Sequence, residues 1–413
     1  MDTSASLSAG FTHTPPRGWA VALLSRLQVS SSALISYTFG IFLPFIGNDL
    51  DLSPLEVGML QGVWWITTAL LALPCSVWLS RFRPVPLILV SLLLQTPFLF
   101  SQGLATGFRT LLLTRFLFVC FQVLAAPARP LILQQWVAPG QYATVNAVGL
   151  SQHSIILALT ISTSAWMIIA VGSWRLAYVI HGGFFVLQTI AWLIVAREGK
   201  APVQGMQRAL EAQQPTPLKA LVAYPQSWFL GITMLALSMT WTALVTFLPT
   251  LLMQQDGMPP SLSGPLLGFL YYALIPSSLL AGRLAKKVPN RKLLLWIPAL
   301  CNVVLGLLTT LTFSPWLLAV LLTGIGIVWI VSPIMEALPF EYPGIRPREV
   351  AVIASLIRTL MGLGFALGPM VTGLVAEMTG SLQLGLQVLC LLTGIGVVSG
   401  LLYPSLAKTR TED

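Results

Sequence analysis

Five ionisable side chains stand inside apolar stretches of this sequence: Arg26, Arg129, His153, Glu336 and Arg358. Each has a chemistry of its own. A guanidinium offers a planar fork of donors that fits a carboxylate or phosphate, and it stays charged. A carboxylate such as Glu336 either holds a permanent salt bridge or takes up a proton, and its surroundings decide which. An imidazole changes charge near neutral pH and passes protons on. Three guanidiniums against one carboxylate leave a positive surplus, which is the chemistry of anion binding. Hydrolytic chemistry is not indicated: no H-E-x-x-H, G-x-S-x-G or C-x-x-C spacing occurs, so no metal and no cofactor is expected. The absence of G-x-x-x-x-G-K-[ST] leaves direct nucleotide drive without support.

These residues sit in an unusual chain. Of 413 residues, 56% are hydrophobic and only 8% charged, with a mean hydropathy of +0.83. A soluble domain carries about 25% charged residues. So few ions cannot cover a water-facing surface of this size, so the solvent is lipid. Cys75, Cys120, Cys301 and Cys390 fall in apolar runs and read as small buried hydrophobes. Of the histidines, only His153 reads as lying deep in such a run, with His181 near a helix start. The first 18 residues lack the basic region and cleavage site of a signal peptide and read as a short tail.

A hydrocarbon core of about 30 Å needs roughly 20 apolar residues per helix. Runs of that length lie at 19–46, 57–79, 85–104, 111–136, 145–171, 176–196, 226–253, 264–285, 293–312, 315–339, 350–373 and 381–404, predicting twelve spans. Basic residues orient them. With both termini inside, 16 of the 22 Lys and Arg fall in inner loops and tails, two (Arg109 and Arg175) fall outside, and Arg26, Arg115, Arg129 and Arg358 lie within spans. This asymmetry accounts for the net charge of +9 through anionic inner-leaflet lipid, with no need of nucleic acid.

The same spans set the depth of the polar residues. Arg26 follows Trp19 by seven residues and Arg129 precedes Trp136 by seven, which places both roughly 10 Å from the inner edge at a rise of about 1.5 Å per residue. Glu336 lies at similar depth, with Arg358 and His153 somewhat deeper. One layer around one cavity is therefore expected, with Arg129 the natural partner of Glu336 and Arg358 the next candidate. Each has a plainer reading: Arg26 snorkelling to the interface, Arg115 structural, Arg358 tying helices together, His153 hydrogen-bonded to a neighbour. Gln122 and Trp241, nearer the middle, are candidates for further substrate contacts.

The chain also repeats itself. "FLPFIGNDLDLSPLEVGMLQG" from Phe42 parallels "FLPTLLMQQDGMPPSLSGPLLG" from Phe247, and "AAPARPLILQQWV" parallels "IVSPIMEALPFEY". Two halves of six helices, 19–196 and 226–404, are joined by a loop at 197–225 and flanked by tails at 1–18 and 405–413. Duplicated halves of this kind serve alternating access.

With those motifs in order, the sequence resembles the major facilitator superfamily over nearly its whole length. "AGRLAKKVPNRK" (Ala281–Lys292) looks like that family's basic loop, whose first-half counterpart, "SVWLSRFRP", lacks the signature's glycine and aspartate. "GSWRLAYVIHG" (Gly172–Gly182) looks like the Trp-Arg turn opening helix six, and "GLGFALGPMVTG" (Gly362–Gly373) like helix eleven. The resemblance implies an all-α membrane protein of twelve transmembrane helices in two pseudo-symmetric bundles. In that fold, helices 1, 4, 7 and 10 face the pathway. It further implies a monomeric, multi-pass secondary transporter, here expected in a bacterial inner membrane. The expected cargo is a small anion, an organic acid or an inorganic ion, moved with protons. Arg129, Arg358, Gln122 and Trp241 would bind it, with Glu336, His153 and Arg26 in coupling or gating. The alternative is proton-driven efflux of drugs or metabolites; the residues needed for an intramembrane enzyme, and a domain for a signalling receptor, are not evident in the sequence.

Overall fold

A computed structural model describes residues 13–79, 82–138, 141–202, 220–288, 290–342, 345 and 347–404. Residues 1–12 of the expected N-terminal tail, the C-terminal tail and most of the expected linker therefore lie outside the described residues. The described residues are helical, with no strand among them. They fall into two compact units, one within Met1–Leu52 and Val63–Gln214, the other within Ser53–Gly62 and Pro215–Asp413.

In the first unit the helices are α1 (Pro16–Tyr37), α2 (Phe39–Leu50), α3 (Pro54–Leu79), α4 (Pro84–Gly103), α5 (Phe108–Val123), α6 (Ala128–Trp136), α7 (Tyr142–Val171) and α8 (Trp174–Val195), the first turns of α3 being counted with the second unit. The second holds α9 (Gln226–Asp256), α10 (Pro260–Lys287), α11 (Leu293–Leu311), α12 (Pro315–Val328), α13 (Val331–Ala337), α14 (Pro347–Thr379), α15 (Leu382–Leu392) and α16 (Ile395–Leu402). Eight of the spans searched among the described residues are long and apolar enough to cross a membrane, and the bent pair α1–α2 makes a ninth. The three other expected spans correspond to α3, the interrupted pair α5–α6, and α10.

Four expected spans are broken where the sequence read as continuous. The first bends by 44° at Thr38; the fourth is interrupted at 124–127, the tenth at Trp329–Ile330 and the twelfth at Thr393–Gly394. Hydropathy is blind to such breaks, because an apolar turn is as oily as an apolar helix. At the tenth, Ile330 and Ser332 donate their N–H groups three residues back, to Ile327 and Trp329 at 2.9 and 3.0 Å, so the chain tightens rather than kinks at a proline.

Local chemistry fixes the helix ends. Ser53 and Glu56 exchange side chain-to-backbone bonds of 3.2 and 3.0 Å, a capping box at the start of α3. Gly172, at φ +73°, ends α7 in the left-handed region. The "SWR" motif that follows then closes a clasp: Trp174 Nε1 donates to Asp49 Oδ2 at 3.1 Å, Arg175 pairs with the same carboxylate, and its Nη2 reaches the Ala105 carbonyl at 3.2 Å. The Arg175 guanidinium also lies 4.4 Å over the Trp174 ring. At the other end of this unit, Arg17 Nε donates to the Val195 carbonyl at 2.8 Å, and Glu198 accepts from Val85 N–H and Gln135.

Two expectations need correction. Cys301 is exposed rather than buried, and Cys75 and Cys120 are half-buried. His181 is no helix-start residue: it lies buried within α8, its Nδ1 2.8 Å from the Ala177 carbonyl and its ring edge-on to Phe42.

In the second unit, α9 and α14 form the most extensive helix pair. Its basis is legible in "GLGFALGP": a Cβ added at Gly364 would stand 2.2 Å from the Leu235 carbonyl oxygen, and one at Gly368 would stand 2.2 Å from that of Met239. Two glycines four apart thus let two backbones touch, the lipid-phase substitute for a hydrophobic driving force. Gly364→Ala and Gly368→Ala are therefore expected to cost at least about 1–3 kcal/mol each, the range for overpacking, read as a lower melting temperature in detergent. An alanine protein as stable as the parent would show that the seam does not hold the pair.

Asp49 carries a pH signature. The Arg175 hydrogen bond holds its carboxyl below the usual carboxylate range against desolvation, with smaller help from Trp174's hydrogen bond and the Arg175 charge. A depressed folded-state pKa stabilises the fold above the unfolded-state pKa, and that contribution disappears as pH falls through the folded value. Asp49→Asn should thus melt lower than the parent at neutral pH, with the gap closing in acid. A gap independent of pH would break the argument.

Candidate functional site

The sequence "QVSSS", Gln28–Ser32, places four hydrogen-bonding side chains on α1, which touch four other helices. Gln28 Oε1 accepts from Arg129 Nη2 of α6 at 3.3 Å. Ser30 Oγ meets His153 Nδ1 of α7 at 2.9 Å. Ser31 Oγ donates to Gln188 Oε1 of α8 at 3.0 Å, and Ser32 Oγ to Gln95 Oε1 of α4 at 3.1 Å. Gln28, Ser30, Ser31 and Ser32 are buried to within 1%. In lipid an unmade hydrogen bond has no water to turn to, so each contact fixes one helix against α1.

Three of the expected site residues come together on this hub. Arg26 and Ser30 are one turn apart on α1, opposite Gly149 and His153, one turn apart on α7. A Cβ at Gly149 would stand 3.4 Å from Arg26 Cγ and Nε, so the arginine stem packs against α7 at this point. Arg129, in the first turn of α6 after the break at 124–127, lies within electrostatic range of Arg26 and His153. Its hydrogen-bond partner Gln28 is a neutral amide, which leaves the positive charge uncompensated by that bond.

Two donors here are unused. Gln28 Nε2 and Arg129 Nε are buried and make no hydrogen bond. The Gln122 Oε1 of α5 and Gln152 Oε1 of α7 are likewise buried without a partner. Ser30, like Ser31 and Ser32, also faces a carbonyl of its own helix one turn back. Its single proton serves either the Arg26 carbonyl, at 3.1 Å, or His153 Nδ1. A hydroxyl donates and accepts, so the imidazole keeps this bond in either protonation state.

The remaining expected residues are placed differently. Trp241 is buried on α9 in the second unit, edge-on to Tyr271 and Trp329. Arg358 is exposed on α14. Glu336 belongs to α13, but its side chain lies outside the described residues, and the expected pairing with Arg129 lies outside them too. Arg115 is wholly buried, its guanidinium 4.2 Å over Phe39 and 5.8 Å from the Trp64 ring, with Nη1 3.4 Å from Tyr178 Oη. Sequence reasoning missed Gln28 and Ser30. Their signal was a polar run inside an apolar span, and neutral residues drew less notice than charges.

A polytopic helical membrane protein with a cationic, hydrogen-bonding cluster within one unit has the form of a solute carrier rather than an enzyme. The comparisons agree. A family model described as Major Facilitator Superfamily matches residues 27–369, and the chain belongs to that superfamily of transporters. No curated protein matches the sequence. Among solved structures, a bacterial homologue of the human lysosomal transporter Spinster, inward-facing and unoccupied, is 17% identical, with 94% of this chain and 97% of that chain covered and a TM-score of 0.73. The nucleoside transporter NupG is 14% identical, with 94% and 98% covered and a TM-score of 0.72. At these identities the likeness is one of fold.

The Gln28–Arg129 bond yields a test of the hub. Gln28→Leu strands a buried guanidinium and should cost about 1–3 kcal/mol, whereas removing both partners, in Gln28→Leu with Arg129→Met, should recover part of that loss. Thermal denaturation of the single and double variants measures the coupling. Strict additivity would mean that the two side chains do not depend on each other.

Proposed function

We propose that this protein is a secondary active transporter of a small anionic solute, an organic acid or inorganic anion, coupled to protons and working by alternating access. The observation that carries the reading is the pair of buried, unused donors, Gln28 Nε2 and Arg129 Nε, beside the Arg26 charge. Orphaned donors at a positive cluster call for a ligand rich in acceptors, and an oxyanion is such a ligand. In this reading Arg129, Arg358, Gln122 and Trp241 contact the solute. Arg26, His153 and Glu336 serve coupling or gating, with His153 exchanging the proton while Ser30 keeps it in place. The protein works as a monomer in a bacterial inner membrane with both termini cytoplasmic, an orientation supported by the distribution of Lys and Arg.

Ligand-dependent thermal stabilisation of the purified protein tests this against a panel of anions, cations and neutral solutes. Stabilisation by an anion is expected, and Arg129→Ala should weaken it by about ten- to a hundredfold, the worth of one hydrogen bond to a charged group. Stabilisation by lipophilic cations, unchanged in Arg129→Ala, would replace this reading with drug efflux.

A further inference from the structure

Four aromatic rings converge in the second unit from α9, α10, the α12–α13 break and α14. Trp241 lies edge-on to Tyr271, ring centroids 5.3 Å apart and planes at 82°, and to Trp329, at 5.0 Å and 63°. Trp329 stacks on Phe365 with centroids 5.8 Å apart and planes within 2° of parallel. Trp241, Tyr271 and Phe365 are buried, while Trp329 is only partly so. It is also the ring carried by the break, just past the end of α12 and before α13 begins.

Packing accounts for the rings but not for the indole donor of Trp329. Trp329 Nε1 is buried and has no acceptor. A phenylalanine would give the same stacking without an idle donor, and a tryptophan in an apolar setting normally finds its N–H a partner. The donor is closed off in this state, and of the four rings only Trp329 is partly exposed and stands at a helix break.

We propose that Trp329 is a ligand-binding residue that stacks a planar, uncharged ring and donates Nε1–H to a carbonyl acceptor on it, the ring entering as the indole turns about the break. The proposal rests on the transporter reading above but not on the charge of the cargo. It names a class of chemical group: a flat heteroaromatic or aryl ring bearing an amide or ketone oxygen.

Nicotinamide and cyclohexanecarboxamide separate the two requirements, since both carry a carboxamide and only the first is flat. Binding is read by calorimetry on the purified full chain. Nicotinamide should bind, with cyclohexanecarboxamide at least about tenfold weaker. Trp329→Phe, which keeps the ring and deletes the donor, should weaken nicotinamide by about five- to tenfold, the loss of one neutral hydrogen bond. Phe365→Leu, which keeps the donor and removes the stack, should erode the preference for the flat ring. Both variants should keep the anion response that Arg129 supports, which also shows that they fold. No nicotinamide binding by the parent protein, or equal binding by Trp329→Phe, overturns the proposal. A missing anion response beside intact nicotinamide binding would sink the anion reading and leave this one standing.

Discussion

The first unit depends on a single constraint: a polar side chain inside hydrocarbon must be answered by another one. Residues 28–32 of α1 put that constraint to use. Gln28, Ser30, Ser31 and Ser32 each name one partner, on α6, α7, α8 and α4 respectively. Apolar contacts could slide along α1 at little cost, because lipid tails are as oily as leucine. Hydrogen bonds cannot, since a one-residue slip would leave several groups unanswered at once. The position of Arg129 and His153 is thus a consequence of the same register that holds the unit together.

Two arginines of this unit stand in contrasting surroundings. Arg115 is wholly enclosed, faced by the Phe39 and Trp64 rings and by the Tyr178 hydroxyl, a setting that satisfies a cation through ring quadrupoles and a hydrogen bond. Arg129 follows a helix break, faces a neutral amide and keeps an unused donor. A buried donor without a partner is a standing cost. In the anion-transporter reading proposed above, the solute would complete it.

The sequence carried the architecture and about half of this site. Spans and an internal repeat followed from hydropathy and composition, and counting residues from the interface brought Arg26, Arg129 and His153 to one level before any contact was known. The breaks did not follow, because interruption leaves hydropathy unchanged. Gln28 and Ser30 escaped because a neutral residue in an apolar run has many harmless explanations, and only the structure shows which are paired. Trp329 escaped for a related reason: an aromatic residue is expected in any core, and its significance lies in one unpartnered nitrogen.

The two units solve the same packing problem by opposite means, and this bears on which of them can change state. The α9–α14 pair rests on backbone approaching backbone at Gly364 and Gly368, a contact that admits no rotation and no exchange of donor for acceptor. The α1 hub rests on hydroxyls and amides, which turn. Ser30 can turn its O–H from the Arg26 carbonyl to His153 Nδ1, or accept a hydrogen bond from an Nδ1–H, without any helix moving. A change of proton or ligand at Arg129 and His153 therefore acts first on side-chain bonds that hold four helices to α1. On the proposed reading, binding chemistry in the first unit would convert directly into a redistribution of structural contacts. In the second, the ligand proposed for Trp329 would act at a place where a helix is already broken.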